Sequence, residues 1–251
     1  MVGAAPSPPP APRPEDLARL AAQALLLIRG TDTELRIGLG SGRAAQAFVR
    51  ALAAETDRGL RVRGVPTSRT TAALAVSLGL TLTELTEDPL DLTVDGADEV
   101  DPRLDLVKGY GGAFTRERIV AAASRRQVIL VTPEKLVPRL GTRGRLPVEI
   151  VPFGRSLCAR RLSAIGCQPR LRETGDGPFV TDNGNWILDC GIAAQNDAAA
   201  LDREIRRIPG VVDTGFFLGT AERVLVAETE TVRVLRRAGD PGRAERPPTN
   251  P

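Results

Sequence analysis

LRIGLGSGRAAQAFV, residues Leu35 to Val49, joins a short apolar run to an apolar stripe of helical spacing through a turn rich in glycine. It reads as a strand at Leu35–Leu39, a glycine turn, and a helix at Ala44–Ala54 that folds back over the strand. The same alternation recurs on both sides. A helix is predicted at Ala18–Ile28, a strand at Leu60–Val65, a helix at Thr67–Leu78, then buried-type strands at Leu92–Asp95 and Val128–Val131 with a helix at Arg116–Ser124 between them. Strands and helices alternating at this interval predict a Rossmann-like α/β fold, a mainly parallel sheet with helices on both faces.

From Pro147 the pattern changes. VEIVPF reads as a strand, Arg155–Ile165 as a helix, and PFVTDNGNWILDC as a hairpin turning at Asn183-Gly184. A helix at Leu201–Ile208 and a strand over GVVDTGFF complete a smaller α+β, ferredoxin-like domain. An apolar strand at Arg223–Ala227 then returns to the first sheet. The predicted division is residues 15–146 and 220–237 for the catalytic α/β domain and 147–219 for the small one. Residues 1–14 and 238–251, rich in Pro, Gly and charge, read as disordered tails.

Composition narrows the chemistry. A net charge of +3 spread over mixed charges, with 3% aromatics, argues against a nucleic-acid partner. No apolar run reaches the eighteen or so residues a membrane helix needs, so the chain reads as a cytoplasmic protein without a membrane partner. Cys158, Cys167 and Cys190 are widely spaced, which suits buried free thiols rather than a disulfide frame or metal cluster. Histidine is absent, so any proton chemistry falls to carboxylates and lysine. Of 34 Lys and Arg residues only Lys108 and Lys135 are lysines, and a compact ammonium serves where a planar guanidinium does not.

In open parallel sheets ligands sit beyond the carboxyl ends of the strands. The first such loop, GLGSGRAA (Gly38–Ala45), offers backbone N–H groups to an anion at a helix start, with Ser41 and Arg43 as side-chain donors. Arg43 at its sixth position argues against a dinucleotide fingerprint. The second, VPTSRTT (Val65–Thr71), places Thr67 or Ser68 as a helix cap, a role compatible with anion binding there. After the strand LTV, Asp95-Gly96-Ala97-Asp98 sets two carboxylates on a tight bend. A dozen residues on come Lys108, the glycine turn Gly109–Gly112, and Glu117 in the first turn of a helix. Grouped together, these would make a proton relay without histidine. Glu99 and Asp101 read as solvated surface acids.

VDGADEVD and LVKGYGGAFTRERIV, preceded by GLGSGRAAQAFV and VPTSRTTAALA and followed by PVEIVPFGRS, VTDNGNWILD and IPGVVDTGFF, resemble type A ribose-5-phosphate isomerase from about Asp16 to Ala227. The resemblance implies interconversion of D-ribose 5-phosphate and D-ribulose 5-phosphate through an enediol(ate), in the non-oxidative pentose phosphate pathway, with no metal and no cofactor. It implies Glu117 as the base between C1 and C2, with Asp95, Asp98 and Lys108 opening the sugar ring and steadying charge on its oxygens. Gly40, Ser41, Gly42 and Arg43 fall on a substrate-binding loop, Thr67 and Ser68 on another, and Lys135 near the phosphate. A homodimer or homotetramer is the family habit. The sequence departs from the family at Ser41, Arg43 and Ala44, where hydroxyl residues are usual, and at Ala18, where a lysine is common. Tyr110 and Phe114 are larger than usual and are expected at the pocket rim. Two rivals fit less well: amino-sugar phosphate deaminases, which rely on a histidine this chain lacks, and phosphosugar-sensing modules, which usually follow a helix-turn-helix segment that is not read here.

Overall fold

The computed structural model describes residues 12–28, 30, 33–175 and 177–237. Most of the two predicted tails therefore lies outside the described residues. Pro14, placed above in the first tail, instead opens helix α1 (Pro14–Leu25), where its missing N–H costs nothing, and the Arg13 guanidinium grips Asp16 at 2.9 and 3.0 Å.

The first sheet contains β1 (Leu35–Leu39), β2 (Val62–Pro66), β3 (Leu92–Gly96), β6 (Gln127–Val131), β14 (Arg223–Ala227) and β15 (Val232–Arg236). Its order is β15-β14-β6-β3-β1-β2, parallel throughout except for the antiparallel edge strand β15. The order in which strands are added reverses between β1 and β3, with β2 on one side of β1 and β3 on the other, so the crevice over their carboxyl ends is the expected ligand position of a doubly wound sheet.

Alternation along the strands builds two cores. Leu92, Val94, Val128 and Leu130 pack with Leu20, Ala24, Phe48 and Leu52 from α1 and α2 (Gly42–Thr56). Ile129, Val131, Val224 and Val226 turn the other way, against Phe114 of α4 (Phe114–Ala122) and Phe217. The stripe of α2 (Ala45, Phe48, Val49, Leu52, Ala53) repeats every three or four residues, which is why that helix lies flat on the sheet. Helix α3 (Arg69–Ser77) starts at Ser68, whose hydroxyl accepts from the Thr71 N–H.

The second sheet holds β7 (Arg145–Ile150), β8 (Gln168–Leu171), β11 (Trp186–Gly191) and β12 (Val211–Thr214), ordered β12-β7-β11-β8 and wholly antiparallel. With α5 (Arg155–Ala164) and α6 (Ala198–Arg206) this is the β-α-β-β-α-β order of a ferredoxin-like layer. Cys158, Cys167 and Cys190 are free and buried here. Short strands make two further pairings: β4 (Glu99–Val100), β5 (Leu106–Val107) and β13 (Phe216–Phe217) form a three-stranded sheet, and β9 (Glu173–Thr174) pairs with β10 (Gly177–Pro178).

Three readings change. The strand over VEIVPF begins earlier, at Arg145, and stops at Ile150, because Pro152 has no N–H to continue the ladder and opens a 3-10 turn. The Asn183-Gly184 turn exists, with Gly184 at φ 81°, but only Val180 bridges Trp186 across it; β11 pairs with β7 and β8 instead. GVVDTGFF splits at Gly215 into strands of two different sheets. A Cβ at Gly215 would stand 2.5 Å from the Lys108 carbonyl oxygen, so this crossing requires glycine.

Candidate active site

The side chain of Asp95 follows Thr93 onto the face of β3 that α4 covers. Gly40, at the end of β1, lies against it so closely that a Cβ there would be 2.3 Å from the Asp95 Cγ. The Gly96 and Ser41 N–H groups donate to Asp95 Oδ1 at 2.7 and 3.1 Å. Its Oδ2 faces Lys108 Nζ at 2.9 Å, and the same ammonium lies 3.1 Å from Glu117 Oε2 and donates to the Gly96 carbonyl. Lys108 follows β5, and its own N–H donates to Gly215 O at 2.8 Å. Relative exposures of 0, 3 and 5% for Asp95, Lys108 and Glu117 make this a buried carboxylate–ammonium–carboxylate group. Gly40→Ala is expected to cost about 1–3 kcal/mol through overpacking; an unchanged denaturation midpoint would show that the strand end has room to move.

The electrostatics follow from burial. Removal from water pushes the Glu117 carboxyl up to about 7, the Asp95 charge adds to this, and Lys108 opposes it. Burial likewise raises Asp95 against the pull of Lys108. For Lys108 burial alone would loosen the proton, but Asp95 and Glu117 together outweigh it and the ammonium holds its proton more firmly than a free lysine. Glu117 is thus poised to gain and lose a proton near neutrality beside a fixed cation.

A cavity of about 190 Å³ opens beside the group. Ser41, Gly42, Arg43, Asp98, Lys108, Glu117 and Lys135 line it with Gly111 of the predicted glycine turn, and Thr132 is a lining residue the sequence had not singled out. Gly40, Asp95, Thr67 and Ser68 stand behind that lining. Ser41 Oγ meets Thr67 Oγ1 and Ser68 Oγ at 3.0 Å each and Thr71 Oγ1 at 3.5 Å, so the two hydroxyl loops are one network. Thr71, which donates to Gly40 O at 3.1 Å, was legible only as the third residue after a cap. Gly42 takes φ 84°, where a Cβ would meet nothing within 4 Å, and α2 starts there, its first residues lining the cavity. Asp98 Oδ2 accepts from the Tyr110 N–H at 2.9 Å, while Lys135 Nζ lies 3.9 Å from Oδ1. Burial lowers the Lys135 ammonium; Asp98 opposes this, and the Arg143 and Arg43 charges add to it.

Some expectations fail. Phe114 is wholly buried beneath Gly109, and Tyr110 lies under the Arg145 guanidinium with its hydroxyl toward Arg145 O, so neither forms the cavity rim. Glu99 and Asp101 are not solvated. Glu99 is fully buried and accepts from the Gly141 and Arg143 N–H groups at 2.6 Å each, while Asp101 Oδ1 accepts from the Arg103 and Asp105 N–H groups at 2.9 Å each. These acids act as caps for tight turns, which a count of charges does not reveal. Among the described residues no helix is long and apolar enough to cross a membrane.

Residues 63–231 match the family model described as ribose 5-phosphate isomerase A (phosphoriboisomerase A). A ribose-5-phosphate isomerase A from Roseiflexus sp. (strain RS-1) is 52% identical over 204 residues, covering 80% of this chain and 88% of that protein. Among solved structures, ribose 5-phosphate isomerase A from Methanocaldococcus jannaschii superposes with a TM-score of 0.82 at 37% identity, over 88% of this chain and 98% of the other. A D-ribose-5-phosphate isomerase in complex with phospho-erythronic acid superposes with a TM-score of 0.83 at 35% identity, over 89% and 99% of the two chains. With the family model matching more than half of the chain and a relative this similar covering four fifths of it, the chain belongs to the ribose 5-phosphate isomerase A family.

Proposed function

We propose that Glu117 is the base that moves a proton between C2 and C1 when this enzyme interconverts D-ribose 5-phosphate and D-ribulose 5-phosphate. The observation that carries this reading is the Glu117 carboxyl lining the cavity, 3.1 Å from a buried ammonium and with its pKa raised to about 7. In the forward direction Glu117 takes the proton from C2 and negative charge grows on O1 of the enediolate. The protonated acid then returns the proton to C1, while the hydroxyl proton of O2 passes to O1, so that nothing is oxidised overall. Lys108 supports the developing oxyanion as a preorganised cation, and Asp95 beneath it keeps that cation in place. Asp98, whose second oxygen is fixed by the Tyr110 N–H, stands at the cavity wall to move the ring-opening proton.

The cavity also suits a phosphate. Arg43 and Lys135 line it together, and Lys135 is disfavoured as a cation by burial and by the charges of Arg143 and Arg43, an imbalance that an anion between them relieves. Arg43, in a place where the family usually has a hydroxyl, offers a planar fork to phosphate oxygens. A solved relative holds phospho-erythronic acid, and a phosphorylated sugar acid has the same anionic end.

Because the base must be ionised, activity is lost as pH falls through its pKa. kcat/KM, which reports the free enzyme, is expected to bend near pH 7 and fall about tenfold per pH unit below it. The substrate phosphate ionises near pH 6, about a unit lower. A profile flat from pH 5 to 8 would remove Glu117 from the role.

A further inference from the structure

The first residues of helix α4 after Phe114 are Thr115-Arg116-Glu117-Arg118, and its cap residue Ala113 offers no side-chain acceptor. Glu117 turns to the cavity; the other three bind to the segments on the far side. The Arg116 Nε donates to Asn183 Oδ1 and its Nη2 to Asp182 O, both at 2.8 Å. The Arg118 guanidinium grips Asp213 at 2.7 and 2.9 Å and donates to the Thr214 and Phe216 carbonyls. Thr115 Oγ1 donates to Glu149 Oε2 at 2.5 Å.

Glu149 is the last residue but one of β7 and is fully buried. Its Oε1 accepts from Thr181 Oγ1 at 3.0 Å, Asn183 Nδ2 at 3.2 Å and Asn185 Nδ2 at 2.9 Å. Among the described residues its hydrogen-bond partners are all neutral donors, the complement of a carboxylate that only accepts. A buried acid without a cation is expensive unless every lone pair is used, and a network so satisfied tolerates one arrangement. The network joins the motifs VEIVPF and VTDNGN, which the chemistry of the cavity leaves without a task, to the residue two places before the base. Asn183 bridges both sides, donating to Glu149 and accepting from Arg116.

We propose that Glu149 is a positioning residue for the isomerisation: through Thr115, and through the Asn183 turn that holds Arg116, it sets the first turn of α4 so that the Glu117 carboxylate meets Lys108. The inference rests on the reading of Glu117 as the base. A rotation of α4 by a fraction of one residue would move that carboxylate by about 1 Å, enough to cost on the order of 100-fold in rate.

Four variants test it. Thr115→Val and Glu149→Met, which remove the donor or the acceptor, are expected to lower kcat 10- to 100-fold with KM within threefold of wild type, and to move the acid limb of the Thr115→Val pH profile upward as Glu117 leaves its cation. Thr115→Ser keeps the hydroxyl. Glu149→Gln keeps an oxygen for the three donors and gives an N–H to Thr115 Oγ1, so both are expected within threefold of wild type. Should Glu149→Met not fold, Thr115→Val decides. Wild-type kcat in Thr115→Val, a loss carried by KM alone, or an unmoved acid limb would overturn the inference. The base reading is tested apart from it by Glu117→Gln: that variant losing turnover while Thr115→Val keeps it would sink the positioning role alone.

Discussion

Glu117→Gln is expected to lower kcat about 10³-fold, within the 10²–10⁴ that a positioned general base supplies. Glutamine has the same shape and can still accept from the Lys108 ammonium, so KM and the far-ultraviolet spectrum should hardly change. The same substitution should also change stability in a pH-dependent way. Glu117 titrates at about 7 in the folded protein against 4.5 for the free group, so folding favours the protonated form. Below pH 4.5 the acid is protonated in both states and contributes no difference; between 4.5 and 7 the folded state increasingly loses relative to the unfolded one, reaching on the order of 3 kcal/mol at 1.36 kcal/mol per pH unit. The glutamine variant, which cannot ionise, should therefore gain on wild type in Tm as pH rises from 5 to 8. Near-normal turnover, or a Tm difference independent of pH, would show that Glu117 is an ordinary buried acid.

Lys108→Arg is expected to be nearly as damaging although the charge is kept, with kcat reduced at least 100-fold. The ammonium is enclosed by Asp95 Oδ2, Glu117 Oε2 and the Gly96 carbonyl, with the Phe217 ring 5.5 Å away. A guanidinium is longer and flat, and to enter it must displace Glu117 or break the Gly215 contact that fixes the lysine backbone. Lys108→Met would leave two buried carboxylates without their cation, at about 3–5 kcal/mol. An arginine variant with ordinary kcat would mean that the position needs charge alone.

What the sequence made readable was decided by how local the cause is. The parallel strands, their covering helices and the loops at their carboxyl ends follow from period and from glycine placement, and Asp95, Asp98, Lys108 and Glu117 stand out as candidates because each lies at the end of a short apolar run, in the turn after it or in the helix start that follows. The misses share a different cause. β8 is half-exposed and polar along Gln168–Leu171 and carries no apolar alternation, and β15 puts charged residues along an edge. Gly215 divides one apolar run between two sheets because the Lys108 backbone needs the space, a demand set by a residue a hundred positions away. Glu99 and Glu149 are buried acids satisfied by donors distant in sequence, and nothing near either residue announces that.

The order of strands in the first sheet also bears on how the chain is made. β14 pairs in parallel with β6, yet nearly a hundred residues, including the whole ferredoxin-like layer, are translated between them. Until Arg223–Ala227 leaves the ribosome, Val128–Val131 presents an unpaired apolar edge able to stick to other nascent chains. Completion of the first sheet is therefore a late event in synthesis, waiting for the last two strands.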